Sequence, residues 1–153
     1  APQVYVNAAM RQGTEQEPLA RAAYAERMVV EVEQTGFWTT DDSMFGASPD
    51  GLVGTDGLIE IKTMVSSATL FRAVVNRDLS DYLDQINGAL WITGRRWCDL
   101  VLWAPDLEPI GRHLTVIRID RDEDEITDMV DDLVEFSRLV TRLETQLRQP
   151  LAA

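Results

Sequence analysis

The sequence contains very little cysteine and histidine, with one residue of each among 153. Cys98 alone cannot form a disulfide within the chain, and a single thiolate cannot hold an iron–sulfur cluster or a thiolate zinc cage. Because Cys98 lies in an apolar run, we expect a buried small side chain. The lone His113 excludes metal sites built on several histidines, and we interpret it as a partly exposed residue at the start of a strand.

Long hydrophobic runs are also missing. No apolar stretch approaches the length that spans a membrane, and no secretory leader is visible. The hydrophobic content of 45% and the charged content of 26% are ordinary for a globular protein. We therefore expect one compact domain over residues 1–153. The low cysteine content fits a reducing, cytoplasmic setting.

Basic residues are outnumbered, with 14 Lys and Arg against 26 Asp and Glu and a net charge of −12. Such a charge argues against contact with nucleic acid, because phosphate groups favour Lys and Arg. However, nine of the acids and only one base lie within residues 120–135, so the rest of the chain carries 17 acids and 13 bases. The remaining net charge of −4 still allows a local basic surface.

Hydrophobic periodicity and turn residues predict nine elements along the chain. Ser66 or Ser67 is the expected N-cap of the second helix, and Gly36 and Gly94 are expected to end helices. The order α-β-β-β-α-α-β-β-α predicts an α/β domain with a mixed central β-sheet flanked by helices. The predicted helices are 19–34, 67–77, 81–93 and 122–148, and the predicted strands are 44–48, 50–54, 57–64, 97–103 and 113–119.

Two carboxylates and a lysine come together across a predicted hairpin. Glu60 and Lys62 share one face of a strand, because side chains alternate along it. If Thr55-Asp56 is a two-residue turn, Gly51 lies opposite Glu60. Asp50 is then a diagonal neighbour of Glu60, at roughly 7–8 Å.

Two carboxylates at this spacing can share a hard cation such as Mg²⁺, with Mn²⁺ as a substitute. Mg²⁺ prefers oxygen ligands at about 2.0–2.1 Å, and the backbone carbonyl of Ile61 is a third candidate ligand. Such an ion neutralises a phosphodiester and lowers the pKa of bound water. Lys62 could hold or help deprotonate the attacking water and offset charge in the transition state. The pattern therefore predicts metal-dependent phosphodiester hydrolysis. A Glu–Lys pair on a strand is, however, also common as a solvent-exposed pair without a function.

Two further polar residues fit the same site. Glu17 lies near the start of the first predicted helix, on the side that carries Arg21 and Tyr24, although Pro18 disfavours helical geometry at Glu17. Gln85 lies in a mostly apolar helix, where a buried amide needs partners. Each also has a structural interpretation, as a helix-start carboxylate or a satisfied core amide.

In these residues the chain resembles the lambda exonuclease branch, the YqaJ-type viral recombinases, of the PD-(D/E)xK nucleases. The resemblance covers about residues 6–135. It rests on Val6-Asn7-Ala8, on Glu17 followed by Ala20-Arg21, on Ser48-Pro49-Asp50-Gly51-Leu52, on Glu60-Ile61-Lys62, and on Gln85 in Tyr82-Leu83-Asp84-Gln85-Ile86.

The resemblance implies a restriction-endonuclease-like core and a Mg²⁺-dependent enzyme that degrades one strand of double-stranded DNA from free 5′ ends. It implies Asp50, Glu60 and the Ile61 carbonyl as metal ligands, Lys62 as the activator of water, and Glu17 and Gln85 as supporting groups. It also implies a homotrimer, a single-strand annealing protein as partner in phage-type recombination, and the cytoplasm of a bacterial host. Family members carry a longer N-terminal region that grips the 5′-phosphate, so we expect a single nuclease domain that lacks that region.

Two alternatives stay open. One is a PD-(D/E)xK endonuclease of another type, and the other is a catalytically inactive module that binds partners through the acidic helix 122–148. Arg72 and Arg77 are modest candidates for DNA contact, because surface salt bridges with nearby acids explain them equally well.

Overall fold

The computed structural model describes residues 8–151, which form two compact units, one up to Arg121 and one from Asp122. The first unit holds three helices, seven strands and a short 3₁₀ helix at Pro105–Ile110, and the second holds one helix. In chain order the elements are α1 (Ala8–Met28), β1 (Val32–Glu33), β2 (Trp38–Thr39), β3 (Gly46–Ala47), β4 (Gly51–Val53), β5 (Gly57–Lys62), α2 (Ser67–Val74), α3 (Ser80–Thr93), β6 (Trp97–Trp103), β7 (Leu114–Asp120) and α4 (Glu123–Leu147).

A five-stranded sheet in the order β1-β4-β5-β6-β7 forms the centre of the first unit. Only the β5–β6 pair is parallel, and the other three pairs are antiparallel, so the predicted mixed sheet with flanking helices is confirmed. The parallel pair requires a crossover, which α2 and α3 provide. β2 and β3 form a separate two-stranded sheet.

The core explains why β5 and β6 are apolar along almost their whole length. One face of the sheet packs Ile59, Ile61 and Val101 against Ala20 and Tyr24 of α1, all of them buried. The residues between them, such as Leu58 and Leu100, are also fully buried. Strands that are covered on both faces have no solvated side to place polar residues on, which is typical of the centre of an α/β sheet.

The first helix differs most from its prediction. α1 begins at Ala8 and ends at Met28, whereas the apolar spacing indicates residues 19–34. It continues through Pro18, so the expected loss of helical geometry at Glu17 is wrong. The helix is amphipathic only around the buried residues Ala20 and Tyr24. Its earlier turns have no apolar stripe, so the sequence pattern does not predict them as helix.

The end of α1 also lacks the expected glycine. Val29, at φ +55°, follows the helix directly, and Gly36 lies beyond strand β1. A β-branched residue in the left-handed region is uncommon, so no residue preference points to this position. The Val6-Asn7 part of the family resemblance lies outside the described residues.

Some ends of the other helices follow their sequence signals, but α2 ends at Val74 and not at residue 77, and Leu79 precedes α3 without a side-chain cap. The Ser66 side chain accepts a hydrogen bond from the Thr69 backbone N–H and caps α2. Gly94, at φ +70°, ends α3 in the left-handed conformation, as predicted. In the second unit, Asp122 caps α4 by accepting from the backbone N–H groups of Asp124 and Glu125. Among residues 8–151, no helix combines the length and apolar character needed to cross a membrane.

Candidate active site

The β4–β5 hairpin sets the position of the first carboxylate. Gly51 pairs with Ile59, not with Glu60, so the register expected from a two-residue turn is wrong by one position. Because Val53 pairs with Gly57, the loop has three residues, and its first residue, Gly54, adopts the left-handed conformation at φ +55°. The Asp50 N–H donates to the Ile59 carbonyl at 3.1 Å. Asp50 therefore lies beside residues 59–61 of β5, next to Glu60.

Asp50 also covers the free edge of β5 beyond the end of β4. Its Oδ2 accepts a hydrogen bond of 2.7 Å from the Ile61 backbone N–H. In a strand, the N–H and C=O of one residue point to the same side. The Ile61 carbonyl oxygen therefore points to the edge where the Asp50 carboxylate lies.

Glu60 is a buried acid, with 2% of its surface exposed. Burial, and then the nearby negative charge of Asp50, raise the pKa of Glu60 to about 8, while Lys62 acts in the opposite direction. A side-chain hydrogen bond with Asp50 contributes in the same direction as burial. A proton on Glu60, or a cation between the two groups, relieves this repulsion.

Lys62 and Gln85 extend the site along β5 and onto α3. Lys62 Nζ donates to Gln85 Oε1 at 2.6 Å, and Gln85 Nε2 donates to Glu60 Oε2 at 3.2 Å. Because an ammonium group can only donate, the amide oxygen faces Lys62 and the amide nitrogen faces Glu60. This bridge requires Glu60 and Lys62 to share one face of the strand, as the alternation predicts.

Glu17 reaches the site from α1. Its Oε1 accepts a bond of 2.7 Å from Arg21 Nη2, one helical turn later. Burial, and next the negative charge of Asp50, raise the pKa of Glu17, and Arg21 opposes the shift. A side-chain hydrogen bond links Glu17 to Asp50. The continuous helix thus brings the Glu17 carboxyl group to Asp50 despite Pro18.

The donor set is suited to a hard divalent cation. Within residues 8–151, no three side chains of His, Cys, Asp or Glu are arranged to hold a metal ion. Two carboxylates, Asp50 and Glu60, together with the Ile61 carbonyl form a smaller set made only of oxygen atoms. Oxygen donors are what Mg²⁺ prefers, and it keeps several waters where the protein supplies few ligands.

The two candidate DNA-binding arginines lie elsewhere. Arg72 Nη1 contacts Asp81 Oδ2 at 3.3 Å, and both side chains are largely exposed. Arg77 is exposed after α2, at φ +53°. Neither arginine takes part in the hydrogen bonds that join the carboxylates, Lys62 and Gln85.

Two features of the site and its surroundings escape sequence reasoning. Arg21 Nε donates to the Asp50 backbone carbonyl at 3.0 Å, a contact between residues 29 positions apart. Fully buried Asp99 accepts hydrogen bonds from the Tyr24 hydroxyl at 2.6 Å and from Arg118 Nε at 2.6 Å. The four-residue spacing of Glu17 and Arg21 is a signal for an ion pair, but nothing in the sequence links Asp99 to Tyr24.

A mixed sheet with flanking helices and a carboxylate–lysine group at one strand end is an arrangement suited to an enzyme that hydrolyses phosphodiester bonds, a nuclease. The model of the YqaJ-like viral recombinase domain matches residues 2–96. The chain therefore belongs to the YqaJ-like viral recombinase family, and the resemblance stated from the sequence is confirmed.

Solved structures agree with this assignment. An alkaline exonuclease from Laribacter hongkongensis is 34% identical, with a TM-score of 0.69, and the match covers 94% of this chain and 77% of that one. The same enzyme in complex with dAMP matches equally well, over 95% and 78%. A phage-related exonuclease from Haemophilus somnus 129PT, at 15% identity and a TM-score of 0.60 over 94% and 77%, shares the fold. No curated protein matches the chain.

The family and these relatives support a DNA exonuclease role that uses a divalent metal.

Proposed function

We propose that this chain is a Mg²⁺-dependent exonuclease that degrades one strand of double-stranded DNA from its 5′ end in phage-type recombination. The observation that carries this proposal is the convergence of Asp50 and Glu60 at the end of the β4–β5 hairpin, beside the Ile61 carbonyl. Family membership supports the recombination context, and the family resemblance alone supports the strand polarity.

Asp50, Glu60 and the Ile61 carbonyl would hold the cation, which would neutralise phosphate charge and acidify a water bound to it. Each ligand is positioned by the fold. The Ile61 N–H fixes the second oxygen of Asp50, and Gln85 Nε2 fixes one oxygen of Glu60. Fixed ligands cost no reorganisation when the phosphate enters.

Among the described residues, Lys62 is the only cationic side chain that is hydrogen-bonded to Gln85 and Glu60 as one group. It lies on the same strand face as Glu60. Its ammonium group is held by Gln85 and can point at a water or at a phosphate oxygen as negative charge develops there. Glu17, linked to Asp50 and held by Arg21, would support the water or a second cation.

The complex of the Laribacter relative with dAMP supports the product class, since a deoxynucleoside monophosphate is what an exonuclease releases. On the family resemblance alone we also propose a homotrimer and a single-strand annealing protein as partner. Arg72 and Arg77 are proposed to contact the DNA backbone, and their exposure supports this role.

Digestion of matched linear and closed circular duplexes tests the exonuclease proposal. With Mg²⁺, the linear duplex should lose one strand from each 5′ end, while the closed circle should survive. Labels at the 5′ and 3′ ends report polarity, because the 5′ label should be released first. Cleavage of the closed circle would instead indicate an endonuclease.

The Asp50→Ala variant tests the metal site directly. We expect it to lose Mg²⁺ binding in calorimetry and DNA cleavage together, whereas Asp56→Ala, in the loop of the same hairpin, should retain both. Hydrolysis that survives in Asp50→Ala at the wild-type rate would disprove the assignment of this site.

A further inference from the structure

Arg21 joins two parts of the site that are distant in sequence. Its Nη2 donates to Glu17 Oε1 at 2.7 Å, and its Nε donates to the Asp50 carbonyl at 3.0 Å. Only 15% of the Arg21 side chain is exposed, so this guanidinium is held largely within the protein. The two bonds connect helix α1 to the residue that precedes β4.

We propose that Arg21 is a positioning residue for hydrolysis, which holds the Glu17 carboxylate and the Asp50 peptide in the arrangement that receives the cation. This inference rests on the proposed function, because it assigns Asp50 to the metal. Among the described residues, the hydrogen bonds of Arg21 go to Glu17 and Asp50, and Gln85 bonds both Glu60 and Lys62, so Arg21 acts through Glu17 and Asp50.

The charges around Asp50 explain why such a residue is needed. Glu17 and Glu60 both interact with Asp50, so three acids lie close together before any cation arrives. Glu17, with about a third of its side chain exposed, could turn towards solvent to escape this repulsion. A guanidinium is always charged and presents donors in a rigid fork, so it can hold Glu17 with one nitrogen and the Asp50 backbone with another.

A surface ion pair between residues four apart on a helix is the plainer interpretation of Arg21. Such pairs stabilise a helix only slightly and have no role in catalysis. The Nε bond to the Asp50 carbonyl is not part of a helical pair, since it crosses to a different element. The second bond is what ties Arg21 to the site.

Arg27 provides a matched control on the same helix. Its Nη1 donates to the Leu114 carbonyl of β7 at 2.6 Å, so Arg27 also links α1 to another element. Leu114 is not one of the site residues. If arginines on α1 act only by attaching the helix, Arg21→Gln and Arg27→Gln should have the same consequences.

The experiment compares Arg21→Gln, Arg21→Lys and Arg27→Gln with the wild-type enzyme. Thermal unfolding measures stability, calorimetry with Mg²⁺ measures ion affinity, and steady-state kinetics on linear duplex separates kcat from KM. We expect Arg21→Gln to lower Mg²⁺ affinity or kcat by about 10–100-fold, as groups that orient metal ligands do, with KM for DNA changed less than twofold.

Arg21→Lys should recover only part of the loss, because an ammonium keeps the charge but cannot span both acceptors. Arg27→Gln should lower the melting temperature and leave kcat and Mg²⁺ affinity within twofold of wild type. If Arg21→Gln behaves as Arg27→Gln does while the wild type is active, the positioning role is overturned and the proposed function stands. A wild-type protein that neither binds Mg²⁺ nor cleaves DNA overturns both.

Discussion

Glu60 is the acid on which the electrostatics of the site centre. Burial and the neighbouring Asp50 carboxylate raise its pKa to about 8, well above the ordinary value of 4.5. In the metal-free protein, Glu60 therefore keeps its proton at neutral pH. This proton reduces the negative charge that a bound cation would otherwise neutralise. The proton and the cation are alternatives, so metal binding should be favoured as pH rises.

The stability of the metal-free protein should depend on pH through Glu60. Because the folded-state pKa is raised, the stabilisation from the bound proton is complete below about pH 4.5 and is lost as pH rises through about 8. Relative to Glu60→Gln, which cannot titrate, the wild type should lose up to about 1.4 kcal/mol per pH unit in this window. Urea unfolding of both proteins in EDTA at pH 5, 7 and 9 measures the difference. Parallel curves would show that Glu60 ionises normally.

Lys62 should contribute to the chemical step but not to ion binding. Lys62→Met keeps most of the apolar stem and removes the ammonium group that Gln85 holds. We expect kcat to fall by about 10²–10³-fold, the usual effect of losing one donor to developing charge. Removing a positive charge beside the carboxylates cannot weaken cation binding, so Mg²⁺ affinity in calorimetry should be unchanged or higher. Weaker Mg²⁺ binding with normal kcat would contradict this role.

The side chains that the sequence identifies are those with a local pattern. Asp50, Glu60 and Lys62 stand out because strand alternation and a glycine-containing turn bring them together, and Gln85 stands out as a polar residue among apolar ones. Arg21 and Asp99 could not be found in this way. Their partners, the Asp50 carbonyl and the Tyr24 hydroxyl, lie 29 and 75 positions away, and only the packed fold brings them close.

Helix α1 is attached to the sheet by a buried polar cluster. Tyr24 donates to Asp99 of β6, and Arg118 of β7 donates to the same carboxylate while its guanidinium lies 3.6 Å from the centre of the Trp97 ring. Burial and the Asp99 hydrogen bond raise the pKa of Tyr24, which stays protonated and able to donate. The cluster fixes the helix that carries Glu17 and Arg21.

Tyr24→Phe should weaken this attachment. The variant leaves a fully buried carboxylate with one fewer donor, which costs about 1–3 kcal/mol of unfolding free energy. Tyr82→Phe, on α3 and outside the cluster, should cost much less. Urea unfolding of the two variants at pH 7 measures both effects. Equal losses would mean that the Asp99 bond adds nothing to stability.

Elements with strong local signals could be predicted, and those defined by their partners could not. The N-terminal ends of four elements lie within one or two residues of their predicted positions, because a cap, a glycine or an apolar run marks each of them. These elements are α2, α3, β6 and α4. β1 and β2 were not predicted. Each has two residues, and only the pairing of Val32 with Val53 and of Trp38 with Ala47 makes them strands. The hairpin register failed by one position because a two-residue and a three-residue loop fit the same sequence.

The assembled enzyme should be a trimer if the family resemblance extends to quaternary structure. Sedimentation velocity at several protein concentrations should then show a species of three times the 17.2 kDa chain mass. Because the net charge of −12 per chain opposes association, the trimer should be favoured as ionic strength rises. A strict monomer at every concentration and salt level would count against the trimer.

The order of the strands has a consequence for the newly made protein. Every side chain of the site lies between Glu17 and Gln85, whereas β5 gains its longest pairing only from β6, which follows α3 in the chain. A nascent polypeptide therefore holds all the hydrolytic groups before it holds the strand that fixes them in place. Since translation proceeds from the N-terminus, we expect the site to take its final shape only after β6 has been synthesised.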